Sequence, residues 1–285
     1  MKVFASLLLL GLSLSSVAQN HAYRIYNSKG KKVSFKKMVK KLDGYDVVLF
    51  GEYHNNPISH WLEYEYAKAF IQQGPSLFAA EMFERDNNDE LQLYMQDSIT
   101  AKGLDTLARL WNNYKTDYKP LLDLAKDSGV GFVAANIPRR YANKVYKGGF
   151  TALDSLTDEE KSWIAPLPIE FDSTLPQYQA ILAMMGGHGS PRIVKAQAIK
   201  DATMAWFILS EGLQKNPDVS VLHFNGAFHS DFYEGIGWYL KQYKPDVEVG
   251  TITTVSQADV NRLAKEHKGR ADFILVVDED MTTTY

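Results

Sequence analysis

The chain contains no cysteine. That excludes disulfides, thiolate metal centres, a thiol nucleophile and an N-terminal lipid-modified cysteine. Long apolar runs are also lacking. Phe4 to Leu14 falls well short of the roughly 20 apolar residues a spanning helix needs, polar Gln19-Asn20-His21 follows soon after, and no later run is longer. There is no strong charge excess. The 31 basic and 34 acidic residues leave a net charge of −3. The basic cluster from Lys29 to Lys41 is interleaved with apolar residues and reads as a solvated face, so nothing points to nucleic acid as a partner. Internal repeats and low-complexity segments are absent as well.

The first residues carry an address. Lys2 is a short positive region, Phe4 to Leu14 an apolar region, and Ser16-Val17-Ala18 a small-residue cleavage site. This pattern predicts a signal peptide over residues 1–18, a mature chain from Gln19, and a periplasmic or secreted protein without a transmembrane anchor. Loss of Lys2 takes the net charge to about −4. Residues 19–285 are long enough for one large domain or two small ones, and the whole chain has an ordinary apolar content of 45%.

Six apolar runs read as strands covered on both faces, because they are continuous rather than alternating. They are Val47–Phe50, Leu77–Ala80, Gly131–Ala135, Val219–Phe224, Glu248–Thr253 and Phe273–Val277. Helical patterns at Pro57–Gln72, Leu121–Asp127 and Pro138–Tyr146 separate them. Such alternation predicts an α/β fold with a mostly parallel central sheet flanked by helices. From about residue 148 to 193 the pattern breaks. Thr157 and Glu160 form a capping-box signature, Pro176–Met185 reads as a helix, and Gly186 to Pro191 as a loop. The stretch reads as a helical lid inserted in a single domain.

Ligands of open parallel sheets bind beyond the carboxyl ends of the strands. Three predicted strands run into polar residues there: Glu52 and His54 after Gly51, Glu81 after Ala80, and His229 after Gly226. Two carboxylates and two imidazoles would then converge, either as ligands of a divalent metal or as acid–base groups. On the apolar helix Val194–Leu213, Gln197, Asp201 and Met204 share a face. A buried aspartate needs a partner, and Arg139 or Arg140 is the expected one for Asp201.

Together these residues resemble the ChaN-like haem-binding family, in the wider group of Tiki, TraB and GumN proteins. The matching segments are Gly51–Pro57, Glu81–Asp86, Tyr118–Leu122, Asn136–Arg140, Ala196-Gln197 with Asp201 and Met204-Ala205, and Gly226–His229. They span about residues 45–278 in the family's order. The resemblance implies an α/β sheet with a helical lid, and haem held between two subunits of a homodimer. It also implies a tyrosine ligand to the iron, with a histidine and a lysine of the partner subunit on the propionates. Tyr118 and Tyr141 are the ligand candidates it suggests, and His188 and Lys195 the propionate candidates. Phe228 departs from the family's frequent glycine and is expected to narrow the pocket beside His229.

Two functions from different classes follow. One is an exported haem-binding protein of iron acquisition that meets a haem receptor or transporter. The other is a metal-dependent hydrolase in which Glu52 or Glu81 activates a metal-bound water. A surface interaction protein ranks third, since that role gives the polar strand ends no reason to converge.

Overall fold

The computed structural model describes residues 21–184 and 190–285. The proposed signal peptide and His188 lie outside them. Seven strands form one sheet among the described residues: β1 (Tyr23–Asn27), β2 (Val47–Glu52), β3 (Ser76–Glu84), β4 (Gly131–Asn136), β5 (Ser220–Gly226), β6 (Val249–Gln257) and β7 (Phe273–Asp278). Their order is β1-β7-β6-β2-β5-β3-β4. All neighbours are parallel except β1, which runs antiparallel along β7 with Tyr23 opposite Val277. The fold class is the α/β arrangement that the apolar runs imply.

Ten α-helices flank the sheet among the described residues. They are α1 (Phe35–Lys41), α2 (Pro57–Ile71), α3 (Asn88–Met95), α4 (Ala101–Leu107), α5 (Lys119–Asp127), α6 (Arg139–Gly148), α7 (Asp158–Lys161), α8 (Pro176–Met184), α9 (Arg192–Ile208) and α10 (Ile236–Tyr243). The period of two along β2 sorts the layers. Val48 and Phe50 pack with Leu62 and Tyr66 of α2 and Leu121 of α5. Val47 and Leu49 face the opposite cluster, which includes Ala198 and Ala202 of α9 and Tyr239 of α10. At roughly 25 cal/mol per Å² of buried apolar surface, these two interfaces supply the main driving force of the fold.

Local signals account for the helix starts. Asn56 caps α2 by accepting from Ser59 N at 2.9 Å, with Pro57 in the first turn. Thr157 and Glu160 form the reciprocal capping box of α7. Between Gly148 and Ile193 the described residues hold α7 and α8 and no strand. No helix among the described residues is long and apolar enough to cross a membrane.

Two expectations change. The edge strand β1 escapes the apolar-run criterion, because its Tyr-Arg-Ile-Tyr-Asn sequence is only partly buried. Glu81 lies inside β3 rather than at its end. The strand continues to Glu84, with its pairing to β4 irregular between Ala80 and Glu84.

Candidate functional site

Glu52 is the last residue of β2 and is buried. Its Oε1 lies 2.6 Å from His54 Nδ1 and accepts from the Tyr118 hydroxyl at 3.0 Å. Its Oε2 is 3.2 Å from His60 Nε2, and His60 Nδ1 is 3.2 Å from Glu63 Oε2. The helix α2 therefore places His60 and Glu63, one turn apart, behind the strand end. Asn113 donates to the His54 carbonyl at 2.7 Å and fixes the loop from the other side.

A second chain of groups approaches across β3 and β5. His229, just after β5, sits between two carboxylates: Nδ1 is 2.5 Å from Asp201 Oδ1 on α9, and Nε2 is 3.3 Å from Glu81 Oε1. The Tyr178 hydroxyl of α8 donates to Asp201 Oδ2 at 2.9 Å, and Gly226 N donates to Glu81 Oε2 at 2.8 Å. The two chains meet at Gly226. A Cβ there would lie 2.8 Å from His54 Cε1, 2.9 Å from His54 Nε2 and 3.6 Å from Glu81 Oε2.

Two connected hollows open above this point. The inner cavity, about 490 Å³, is lined by Glu52, His54, Glu81, Gln197, Lys200 and His229, with Tyr285 at its edge. The outer groove, about 390 Å³, shares His54, Glu81, Gln197 and Lys200 and continues between α6 and α9 past Trp111, Arg139, Tyr146, Ile193 and Ala196. Lys200 lies seven positions after Ile193 on α9, a rise of about 10 Å at 1.5 Å per residue.

Residues 38–240 match the sequence profile of the family described as haem-binding uptake, Tiki superfamily, ChaN. The chain belongs to this family. No curated protein sequence matches it. The structure of ChaN from Campylobacter jejuni, described as showing cofacial heme binding, is similar at 19% identity with a TM-score of 0.65, covering 90% of this chain and 96% of that one. The type III effector HopBA1 is similar at 12% identity with a TM-score of 0.51, covering 87% and 94%. At these identities the likeness is one of fold.

In this ChaN-family chain Glu52, His54, Glu81 and His229 line one cavity, but as two acid–imidazole assemblies. Among the described residues, no group of three His, Asp or Glu side chains is placed to hold a metal ion. Asp201 corrects the expected pairing. It binds His229 and Tyr178, whereas Arg140 turns outward to Asp86 and the Tyr141 hydroxyl, and Arg139 lines the outer groove. The cause is direction. Asp201 lies on the face of α9 turned to the end of β5, away from the start of α6.

The charges follow from burial and pairing. Burial opposes the charge on His229, but the adjacent Glu81 and Asp201 carboxylates overcome it and push its pKa up to about 10. Burial also opposes ionisation of Glu81, and the His229 charge overcomes that, holding the carboxyl well below the usual range. For Asp201 burial prevails and the pKa is raised. Burial likewise lowers His60 less than the Glu63 and Glu52 carboxylates raise it, to about 9, while burial pushes Glu63 up to about 7.

The residues suggested by resemblance occupy different settings. Tyr118 is 1% exposed, with its hydroxyl committed to Glu52. Tyr141 is equally buried, and its hydroxyl lies between Arg140 and Glu160 beside the Trp163 ring. Neither lines the inner cavity or the outer groove. Lys195 is on α9 with its ammonium 5.6 Å from the Phe150 ring. Phe228 lines the inner cavity beside His229, and its carbonyl accepts from Gln177 of α8 at 3.1 Å.

Sequence reasoning missed His60, Glu63, Tyr178, Lys200 and Tyr146. The i, i+3 spacing of His60 and Glu63 was a usable signal, since it puts both on one helix face. Tyr146 is 42% exposed although it lies on the same helix as buried Tyr141. Five residues along a helix turn a side chain well away from its starting direction.

Proposed function

We propose that this chain binds haem in the outer groove between α6 and α9. The observation that supports it most is the composition of that groove in a member of a haem-binding uptake family. The Trp111 ring and Ile137, Ile193 and Ala196 offer apolar flanks for a porphyrin. The Tyr146 phenol is the exposed oxygen donor on its wall, and Arg139 and Lys200 are cations for propionate carboxylates. A bound haem supplies iron chemistry. The residues here hold, orient and partly dehydrate it.

In this reading a tyrosine would be the oxygen donor that holds the iron. Tyr146 offers its oxygen without rearrangement, whereas Tyr118 or Tyr141 would first have to leave Glu52 or Glu160. The groove is open on one side, which suits closure by a second subunit and a homodimer. His188, four positions before α9 in sequence, and Lys195 on α9 are the proposed propionate contacts across that interface. Export as a signal-peptide-cleaved periplasmic or secreted protein, and transfer to a haem receptor or transporter, belong to the same reading. A mature N-terminus at or near Gln19 in the native envelope, found by mass spectrometry, is the outcome expected for export, and a retained Met1 overturns it.

The test of haem binding is a hemin titration followed by absorption and sedimentation. Saturable growth of a Soret band, with a ferric spectrum altered in Tyr146→Phe, is expected. A wild-type chain that takes up no hemin sinks the proposal. Hydrolysis abolished by a chelator, in a chain that binds no hemin, would move the Glu52, His54, Glu81 and His229 cluster to a hydrolase role.

A further inference from the structure

Charge is unevenly placed along the chain. Residues 29–41 hold seven lysines and no acidic residue, and all seven lysines are exposed. The whole chain carries −3, so the +7 of this segment leaves −10 for the rest. Two elements bring the lysines to one face. After β1 the chain doubles back through Gly30, whose φ of +78° suits glycine. Asn27 Oδ1 holds this turn by accepting from the Lys29 and Lys31 amides at 3.2 and 2.9 Å. Ser34 then caps α1 by accepting from Lys37 N. On α1, Lys36, Lys37, Lys40 and Lys41 share one side, while Met38 and the capping Leu42 are buried on the other. Asn27 and Val33 of the turn and Lys37 and Lys41 of the helix line a common hollow of about 290 Å³. Asp272 is the acidic residue on its wall, and its carboxylate already accepts from Thr251 N and the Tyr233 hydroxyl.

The fold gains nothing from this charge. Among the described residues none of the seven lysines is ion-paired, whereas Lys68, Lys119, Lys126 and Lys215 each meet a carboxylate. Lys36 and Lys37 stand in the first turn of α1, at the positive end of its dipole, with no acidic residue there to offset them. Like charges also repel at the i, i+4 pairs Lys36 with Lys40 and Lys37 with Lys41. A face that serves only solubility mixes both signs. We propose that this face docks on an anionic lipid surface. Lipid phosphates present spread negative charge that a row of flexible ammonium groups meets without a shaped pocket. A flat surface touches one face alone and leaves the −10 of the rest in solvent, where a wrapping polyanion would be repelled by it. The face lies where the parallel strands begin: Asn27 opposes Phe273, the first residue of β7, and Tyr45 precedes β2. Glu52 closes β2 at its sixth residue, so the cavity lies about 20 Å away at 3.3 Å per residue. A chain docked through α1 therefore keeps its groove toward solvent. The proposal does not depend on the haem reading.

The experiment is co-sedimentation of the chain, isolated from its native cell, with vesicles of phosphatidylcholine alone and of equal parts phosphatidylcholine and phosphatidylglycerol. Binding to the anionic vesicles alone, falling as salt is raised, is expected. Each lysine near an anionic surface strengthens binding roughly fivefold, so changing Lys36, Lys37, Lys40 and Lys41 together to Gln should weaken it at least about a hundredfold. Changing Lys29, Lys31 and Lys32 to Gln removes charge from the turn instead, and should also weaken binding should the helix variant fold poorly by circular dichroism. Lys102→Gln combined with Lys144→Gln removes two exposed lysines elsewhere and should bind as wild type does. Equal binding to both vesicle types, binding that survives in a folded helix variant, or an equal loss in the Lys102 and Lys144 control overturns the proposal. Retention on heparin without binding to either vesicle also overturns it and assigns the face to a soluble polyanion.

Discussion

Asp201 and His229 come from elements 28 positions apart in sequence, α9 and the turn after β5, and their largely buried side chains meet at 2.5 Å. The aspartate is one of two carboxylates that keep the ring charged. Asparagine offers one acceptor oxygen where the aspartate offers two, so one of His229 Nδ1 and the Tyr178 hydroxyl loses its acceptor while Glu81 stays beside the ring. A buried donor left without a partner costs about 1–3 kcal/mol, and Asp201→Asn is expected to lose about that much stability in urea or thermal unfolding. A loss under 1 kcal/mol would contradict the pairing.

The same pair sets a pH window. The His229 pKa is raised from 6.5 to about 10, so its contribution is complete below 6.5 and is lost as pH rises through 10. The Glu81 pKa is depressed from 4.5, so its contribution is present above 4.5 and is lost as pH falls below that. A stability plateau between about pH 4.5 and 6.5, with a decline on either side, should appear in melting temperatures recorded across pH. Mutation of His229 to Gln should flatten the alkaline limb.

Tyr118→Phe keeps the ring in the core and deletes the hydroxyl that donates to Glu52. A hydrogen bond to a charged group contributes roughly 1.5–3 kcal/mol, and unfolding of the variant should reveal a loss of that size. Under the assignment of Tyr146 as the oxygen donor, the ferric hemin spectrum of Tyr118→Phe should match wild type. A spectrum lost in Tyr118→Phe and kept in Tyr146→Phe would reverse the two tyrosines.

Gly226→Ala isolates a steric effect. The backbone there has φ −56° and ψ 135°, which alanine adopts freely. The added methyl would meet the His54 ring at 2.8–2.9 Å, closer than van der Waals contact allows. The partly exposed ring should rotate away, at a cost of about 1–3 kcal/mol for overpacking. The imidazole resonances of His54 in NMR spectra should shift, while those of buried His223 stay in place.

Continuous apolar runs such as Val47–Phe50 and Phe273–Val277 were legible because a parallel sheet buried on both faces demands them. β1 was not, since an edge strand that is solvated on one side needs no such run. The gathering of Glu52, His54, Glu81 and His229 followed from the rule for strand ends, and the cavity they line agrees with it. Their pairing did not follow. Whether Asp201 reaches Arg140 or His229 depends on the rotation of α9, and a helix buried nearly all round carries little amphipathic signal to fix that rotation. Tyr146 was hidden for a related reason: a tyrosine suits the core face and the groove face of α6 equally well.

The edge pairing of β1 with β7 has a consequence for the order of assembly. Tyr23 opposes Val277 and Asn27 opposes Phe273, so among the first strands to be made is one whose hydrogen-bonding neighbour is the last. β2 likewise pairs with β5 and β6 rather than with β3. Contacts this far apart in sequence make for slow folding, because the connecting chain must be drawn together before they form. A ribosome-bound chain that ends before residue 273 would thus have a sheet with an unpaired β6 edge and an N-terminal segment with nothing to dock on. The sheet can be completed only after β7 has been made.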